Sequence, residues 1–268
     1  MSAGALVKRA SAVLDAVVKP PAGVTILIYH RVGGESTSAV DLDADAFDDQ
    51  LAHLAADHDV ITLDEAVARL RAADADDDRR AVVITFDDGT ADFTDVAVPL
   101  LSKHGLPATL YVATRFVDEA ADFPWGAPPA SWTALRDSLS TGLVTIGSHT
   151  HTHSLLDRLD PVEIADDLDR SIDLIGTHLG LDATHFAYPK AVPGSPAAEI
   201  EVRRRFASAS LAANRVNRPG ADVHRLTRTP IQRSDGFDWF TKKADGGLRL
   251  EGEVRALLGR TRYRGATT

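Results

Sequence analysis

The sequence contains no cysteine, and this absence excludes three kinds of chemistry. None of its 268 residues is Cys, so disulfide frameworks, thiolate metal sites and cysteine nucleophiles are ruled out. No apolar run approaches the ~20 residues that a membrane-spanning helix needs. The net charge is −10, which argues against a nucleic-acid partner because phosphate neutralisation requires clustered Lys and Arg. The composition therefore predicts a soluble globular protein.

The N-terminal residues show helical spacing of apolar side chains. These residues are Leu6, Ala10, Val13, Leu14 and Val17. Charged residues interrupt the stretch, so it does not match the apolar core of a signal peptide. We therefore predict an amphipathic helix over residues 1–20 that packs on a catalytic domain of residues 21–268, and a cytoplasmic location. Peripheral attachment of this helix to a membrane is the alternative, although only two or three basic residues favour it.

Short apolar runs alternate with helical patterns along the whole chain. Strands are predicted at 24–29, 60–61, 81–86, 108–112, 143–147, 186–188, 207–211 and 226–231. The longest predicted helix begins at Pro161, with Asp160 as its cap. This alternation favours a single α/β domain with a mainly parallel sheet, for which closure into a barrel is one solution.

Two adjacent carboxylates, Asp87 and Asp88, directly follow the predicted strand 81–86 in the segment TFDDG. Chemistry in α/β folds concentrates at the carboxyl ends of the strands. Two buried carboxylates also need compensating partners, such as a cation. The alternative is an ordinary turn, because Asp-Gly is a common turn dipeptide.

A second group of polar residues follows the predicted strand 143–147, where the segment GSHTHTH contains three histidines. His149 and His153 converge on one ion if the chain turns after the strand, and two imidazoles with one carboxylate suit a catalytic zinc site. We therefore predict Asp88, His149 and His153 as metal ligands, with Asp87 as general base towards a metal-bound water. A surface loop that is rich in histidine by chance is the alternative.

These segments, together with FAYP at 186–189, resemble the first three motifs of the polysaccharide deacetylase family, also called the NodB-homology or carbohydrate esterase 4 family. The likeness extends from YHRV at 29–32 to LTRTPI at 226–231. It implies a distorted (β/α)7-type barrel, a divalent metal that is usually Zn²⁺, and hydrolysis of an N-acetyl group on a sugar or polysaccharide. It also assigns the same roles to Asp87, Asp88, His149 and His153.

The sequence departs from the family pattern at two points. Family members often have Tyr after the proline of the third motif, whereas Lys190 follows Pro189 here. A backbone N–H at this position can still serve as the oxyanion donor. The C-terminal Leu-x-x-His that usually supplies the general acid is missing. Because the first and last strands are neighbours in a closed barrel, we predict that His30 protonates the leaving amine; a plain rim histidine is the alternative.

Three further residues are candidates for the substrate region. Arg228 is expected to orient Asp87 and moderate its pKa, or to form a plain surface salt bridge. Trp125 and Trp132 are candidates for a sugar-stacking wall, with core packing as the alternative. The overall prediction is a metal-dependent deacetylase acting on an N-acetylated carbohydrate. An O-acetyl esterase, another amide, formamide or ureide hydrolase of the family, and a catalytically silent carbohydrate-binding barrel are the alternatives.

Overall fold

The computed structural model describes residues 3–74 and 77–254. Its strands are β1 (Gly23–Tyr29), β2 (Arg31–Val32), β3 (Asp41–Leu42), β4 (Arg80–Phe86), β5 (Ala108–Val112), β6 (Val144–Ser148), β7 (His185–Ala187), β8 (Ser208–Ala212) and β9 (Leu226–Pro230). Seven of these strands pair in parallel and close a barrel in which β9 lies beside β1. The other two, β2 and β3, form a separate two-stranded sheet. The predicted single-domain (β/α)7-type barrel is confirmed.

Helices surround this barrel. They are α1 (Ala3–Val17), α2 (Ala44–Asp57), α3 (Leu63–Ala72), α4 (Val98–His104), α5 (Thr114–Glu119), α6 (Trp132–Leu139), α7 (Pro161–Leu179), α8 (Pro196–Arg205) and α9 (Gly236–Ala244). As predicted, α7 begins after Asp160, whose carboxylate accepts hydrogen bonds from the first turn. Such a cap satisfies N–H groups that have no partner within the helix. No helix of the described residues is both long and apolar enough to span a bilayer.

An aromatic cluster in the core lies beside the carboxyl ends of β1 and β4. Tyr29 and Phe86 end these neighbouring strands, and their rings stack at 5.3 Å. Phe47 of α2 packs edge-on against Tyr29 at 5.1 Å, and Phe93 packs against Phe86 at 4.9 Å. Burial of each such side chain contributes about 1.5–3 kcal/mol to folding. The two strand ends that precede His30 and Asp87 are therefore firmly held.

Three details differ from the sequence-based expectations. Residues 60–61 form only an isolated bridge from Val60 to Val82 rather than a strand. Helix α5 had not been predicted, because its six residues are too few to show a clear period. The third difference is that α1 packs with its polar side inward and leaves Val13 and Val17 exposed. Of the predicted domain ranges, residues 1–2, 75–76 and 255–268 lie outside the described residues.

The orientation of α1 has a specific cause. The ammonium group of Lys8 forms a buried ion pair with Asp235. Asp15 accepts a hydrogen bond from the backbone N–H of Leu248 at 2.6 Å. Charged groups that are removed from water need such partners, and the partners lie on the domain side of the helix. The apolar stripe of the helix consequently faces outward.

Candidate active site

A tight turn after β4 presents the two aspartates at the carboxyl end of the barrel. Asp88 and Gly89 have positive φ angles of 77° and 94°. The backbone N–H of Asp87 donates to the carbonyl of Tyr29 at 3.1 Å, and that of Ala113 donates to the carbonyl of Asp88 at 2.9 Å. The turn is thus fixed to the chain on both sides, after β1 and after β5. The Asp-Gly pair does form a turn, and this turn carries both carboxylates into the site.

A second constrained loop follows β6 and carries the histidines. Thr150 and His153 have left-handed φ angles of 67° and 60°, a conformation that is uncommon for residues other than glycine. The N–H of His149 donates to the carbonyl of Val112 at 2.9 Å. The hydroxyl of Thr150 accepts from the N–H of His153 at 2.9 Å. Strained backbone of this kind clusters at functional sites.

The two loops bring Asp88, His149 and His153 together into one buried cluster. Asp88 Oδ1 lies 3.6 Å from His149 Nε2 and 3.3 Å from His153 Nε2. One ligand atom from each residue lies within 4.8 Å of the other two, so this cluster is a candidate metal site. Two imidazoles and one carboxylate form a donor set that suits zinc.

The hydrogen bonding of His149 fits this interpretation. Its Nδ1 lies 2.8 Å from the carbonyl oxygen of Ala187. Because a carbonyl only accepts, Nδ1 must hold the proton and Nε2 keeps its lone pair for a cation. Burial lowers the pKa of His149 to about 4, so the imidazole is neutral at pH 7, the form that ligates metals.

Asp87 lies beside this cluster and is held by Arg228 of β9. The two guanidinium nitrogens donate to Oδ1 and Oδ2 of Asp87 at 2.6 and 2.8 Å. Arg228 is fully buried, so the contact is not a surface salt bridge. Burial acts to raise the pKa of Asp87, but Arg228 and His149 outweigh it and hold this pKa below its ordinary value. Asp87 is therefore ionised at neutral pH.

His30 follows β1, the strand between β4 and β9 in the closed barrel. It is half-buried, and its Nδ1 has no hydrogen-bond partner in the described part of the chain. His30 is also one of the groups that lower the pKa of Asp87 and of Asp88. Buried polar atoms are rarely left without a partner, which is consistent with a nitrogen that meets a substrate or water.

The remaining predicted residues lie around the rim of the site, with one exception. Pro189 and Lys190 follow β7 in a short turn, where Lys190 has a φ of 53°. The Trp125 ring is partly exposed; it lies 5.7 Å from the His153 ring and stacks on Phe123. Trp132 is the exception, because it stacks on His178 of α7.

Asp167 of α7 shapes the histidine loop, although no motif in the sequence pointed to it. Its carboxylate accepts hydrogen bonds from the backbone N–H groups of His151 and Thr152 and from the Thr152 hydroxyl. Four residues further along the same helix, Ser171 lies 2.7 Å from Ser148, the last residue of β6. Both belong to the face of α7 that Ile164 and Leu168 bury. Polar residues within a buried stripe are the pattern that could have identified them.

Comparison with known proteins supports the motif assignment. A family model described as polysaccharide deacetylase matches residues 74–201, a range that contains both aspartates and the histidine loop. Over this range the chain is similar to the polysaccharide deacetylase family. The matched range also contains the Asp88–His149–His153 cluster, the candidate metal site.

Individual relatives and solved structures are also similar to this chain. YxkH of Bacillus subtilis, named for this family, is 27% identical over 173 residues, which cover 63% of this chain and 57% of YxkH. The chain therefore spans just over half the length of this curated relative. The structure of IcaB from Ammonifex degensii matches 85% of this chain and 98% of its own at 26% identity, with a TM-score of 0.72. The Streptococcus pyogenes deacetylase PplD, in complex with acetate, has the same fold at 20% identity, with a TM-score of 0.73 over 84% of this chain and 99% of its own.

Proposed function

We propose that this protein is a metal-dependent hydrolase that removes an N-acetyl group from an N-acetylated sugar or polysaccharide. The observation that carries the proposal is the buried cluster of Asp88, His149 and His153 beside the ionised carboxylate of Asp87. This donor set favours zinc over harder cations, because imidazole is a preferred ligand of zinc. The family supports a carbohydrate as the substrate class.

Five side chains and one backbone group have distinct roles in this proposal. Asp88, His149 and His153 would hold the cation, which would act as a Lewis acid towards the acetyl carbonyl. Asp87 accepts the proton of the attacking water, since each of its oxygens retains a lone pair beyond the bond to Arg228. The backbone N–H of residue 190 donates to the carbonyl oxygen as negative charge develops there. Trp125, at the rim, offers an aromatic face to a sugar ring.

His30 is the proposed proton donor to the departing amine. Its place at the end of β1, the strand next to β4 in the barrel, supports this role, as does the unpaired state of its Nδ1 in the described residues. Closure of the barrel explains why a residue after β1 can act where the family usually uses one near the last strand, because β1 and β9 are hydrogen-bonded neighbours.

The experiment is a comparison of acetate release from N-acetylglucosamine oligomers and from acetylated xylan. We expect release from the oligomers. Faster release from xylan would instead identify an ester hydrolase, and sugar binding without any acetate release would indicate a silent binding barrel.

Replacement of His30 tests the proton-donor role directly. His30→Gln should lower kcat by about 10²–10⁴-fold, the usual contribution of general acid catalysis, with an unchanged metal content. His178→Gln is the matched control, because His178 contacts Trp132 and Asp118 rather than Asp87 or Asp88. Turnover of His30→Gln near that of the control would refute the role.

A further inference from the structure

Helix α1 presents an apolar surface outward, together with residues near the end of the described chain. The residues of this surface are between 36% and 79% exposed: Leu6, Val13, Leu14, Val17, Val18 and Leu250. Leu250 belongs to a helical segment, residues 249–254, and its N–H donates to Ser11 of α1 at 3.1 Å. We call these six residues the α1 stripe. Contiguous exposed apolar surface usually marks an interaction site.

Buried polar contacts prevent α1 from turning its stripe inward. Asp235 receives ion pairs from both Lys8 and Lys243, and its own side chain is fully buried. Asp15 accepts a hydrogen bond from the backbone N–H of Leu248 on the same side of the helix. A roll of α1 would leave these charges buried without partners, which is strongly destabilising. The outward stripe is therefore a fixed feature of the fold.

The charges exposed next to the stripe are cations, although the whole chain carries a net charge of −10. Residues 3–22 contain three Lys or Arg and one acid, and residues 242–254 contain three of each. Lys8 is buried in its ion pair with Asp235 and the single acid of α1, Asp15, faces inward, whereas Lys19 and Arg249 are exposed beside the stripe. An apolar stripe flanked by cations is typical of helices that lie in an anionic membrane interface.

We propose that α1 docks this protein on an anionic phospholipid surface, with the α1 stripe inserted among the acyl chains and the neighbouring cations close to the lipid phosphates. A second copy of the chain fits less well. In a two-fold pairing each surface meets its own copy, so cations would face cations across the interface. Anionic lipid neutralises them instead.

Docking through α1 leaves the active site open. Lys8 contacts Asp235, which follows the carboxyl end of β9, and α1 ends shortly before Gly23, where β1 begins. The helix thus runs along the side of the barrel. A membrane against it would lie beside the barrel and would not cover the strand ends that carry Asp88.

The test is co-sedimentation of the full chain with vesicles of phosphatidylglycerol and phosphatidylcholine, compared with vesicles of phosphatidylcholine alone. We expect binding to the anionic vesicles that weakens as salt rises. Leu14→Ser with Val17→Ser should lower the partition coefficient by roughly tenfold or more, because two apolar side chains leave the interface. The matched control is Val162→Ser with Ile200→Ser, which changes two equally exposed apolar residues on α7 and α8; it should bind like the unchanged chain.

Three results would overturn the proposal. The first is no binding to anionic vesicles, and the second is an equal loss in the α1 variant and its control. The third is a dimer in light scattering that only the α1 variant converts to a monomer, because a second copy would then cover the stripe. Thermal unfolding of both variants checks that each remains folded. Vesicle binding needs no acetate release, so the outcome is independent of the proposed catalytic function.

Discussion

Replacement of Arg228 by Met would break the ion pair that holds Asp87. The long apolar side chain keeps most of the volume of Arg228 but leaves the Asp87 carboxylate buried without its guanidinium. Loss of one partner of a buried pair costs about 3–5 kcal/mol, whereas an exposed pair contributes about 0–1 kcal/mol. The side chains of Arg228 and Asp87 are 0% and 6% exposed, so the buried figure applies. We expect the free energy of unfolding at pH 7 to fall by about 3–5 kcal/mol.

The same substitution should change the pH dependence. In the unchanged protein the pKa of Asp87 lies below its ordinary value, so Asp87 contributes stability that is present above pH ~4 and is lost as pH falls through the folded pKa. In Arg228→Met the effect of burial is no longer outweighed by the guanidinium, and the pKa of Asp87 rises. The stability difference between the two proteins should therefore narrow as pH falls. The acid limb of kcat/KM should move to higher pH.

Urea unfolding at pH 7 and pH 5, with a kcat/KM profile, measures both effects. Arg225→Met is the matched control, because Arg225 pairs with Glu199 at 2.6 Å where both side chains are partly exposed. The free energy of unfolding of this control should fall by less than about 1 kcal/mol. Two results together would refute the importance of the buried pair. These are a free energy of unfolding of Arg228→Met within about 1 kcal/mol of that of this control, and an acid limb of its kcat/KM profile that does not move.

Two further predictions concern the histidine loop and the barrel wall. Asp167→Asn should lower the metal affinity about 10–100-fold with little change in melting temperature, since Asp167 orients the loop that carries the ligands. Competition with a chromogenic chelator measures this affinity, and an unchanged affinity would contradict the prediction. Gly147→Ala should destabilise the protein by roughly 2–3 kcal/mol, because the new Cβ would lie 2.7 Å from the His185 carbonyl oxygen. Gly176→Ala in α7, whose Cβ would meet nothing nearer than 3.8 Å, should be neutral or stabilising; equal melting temperatures for the two variants would refute the packing argument.

Local features of the fold could be predicted because neighbouring residues determine them. The buried strand β4 is a continuous apolar run, and Asp160-Pro161 sets the beginning of α7 through groups within one turn. The proximity of Asp88 to His149 and His153 also followed, since parallel strands bring their carboxyl ends to one edge.

Features that depend on distant contacts could not be predicted in the same way. The pair of Arg228 and Asp87 joins residues 141 positions apart, and its burial follows from closure of the barrel between β9 and β1. The orientation of α1 depends on Asp235, near the other end of the chain. The helical pattern of α1 shows that it is amphipathic, but only the location of its partners shows which face is buried.

Acetate release by the chelator-treated protein during stepwise addition of Zn²⁺ tests the central claim most directly. We expect activity to be lost on chelation, to rise in proportion to added zinc, and to level off at one ion per chain. His149→Ala should show no such rise, because it lacks one of the three ligands. Full acetate release by protein shown to hold no metal would contradict the account.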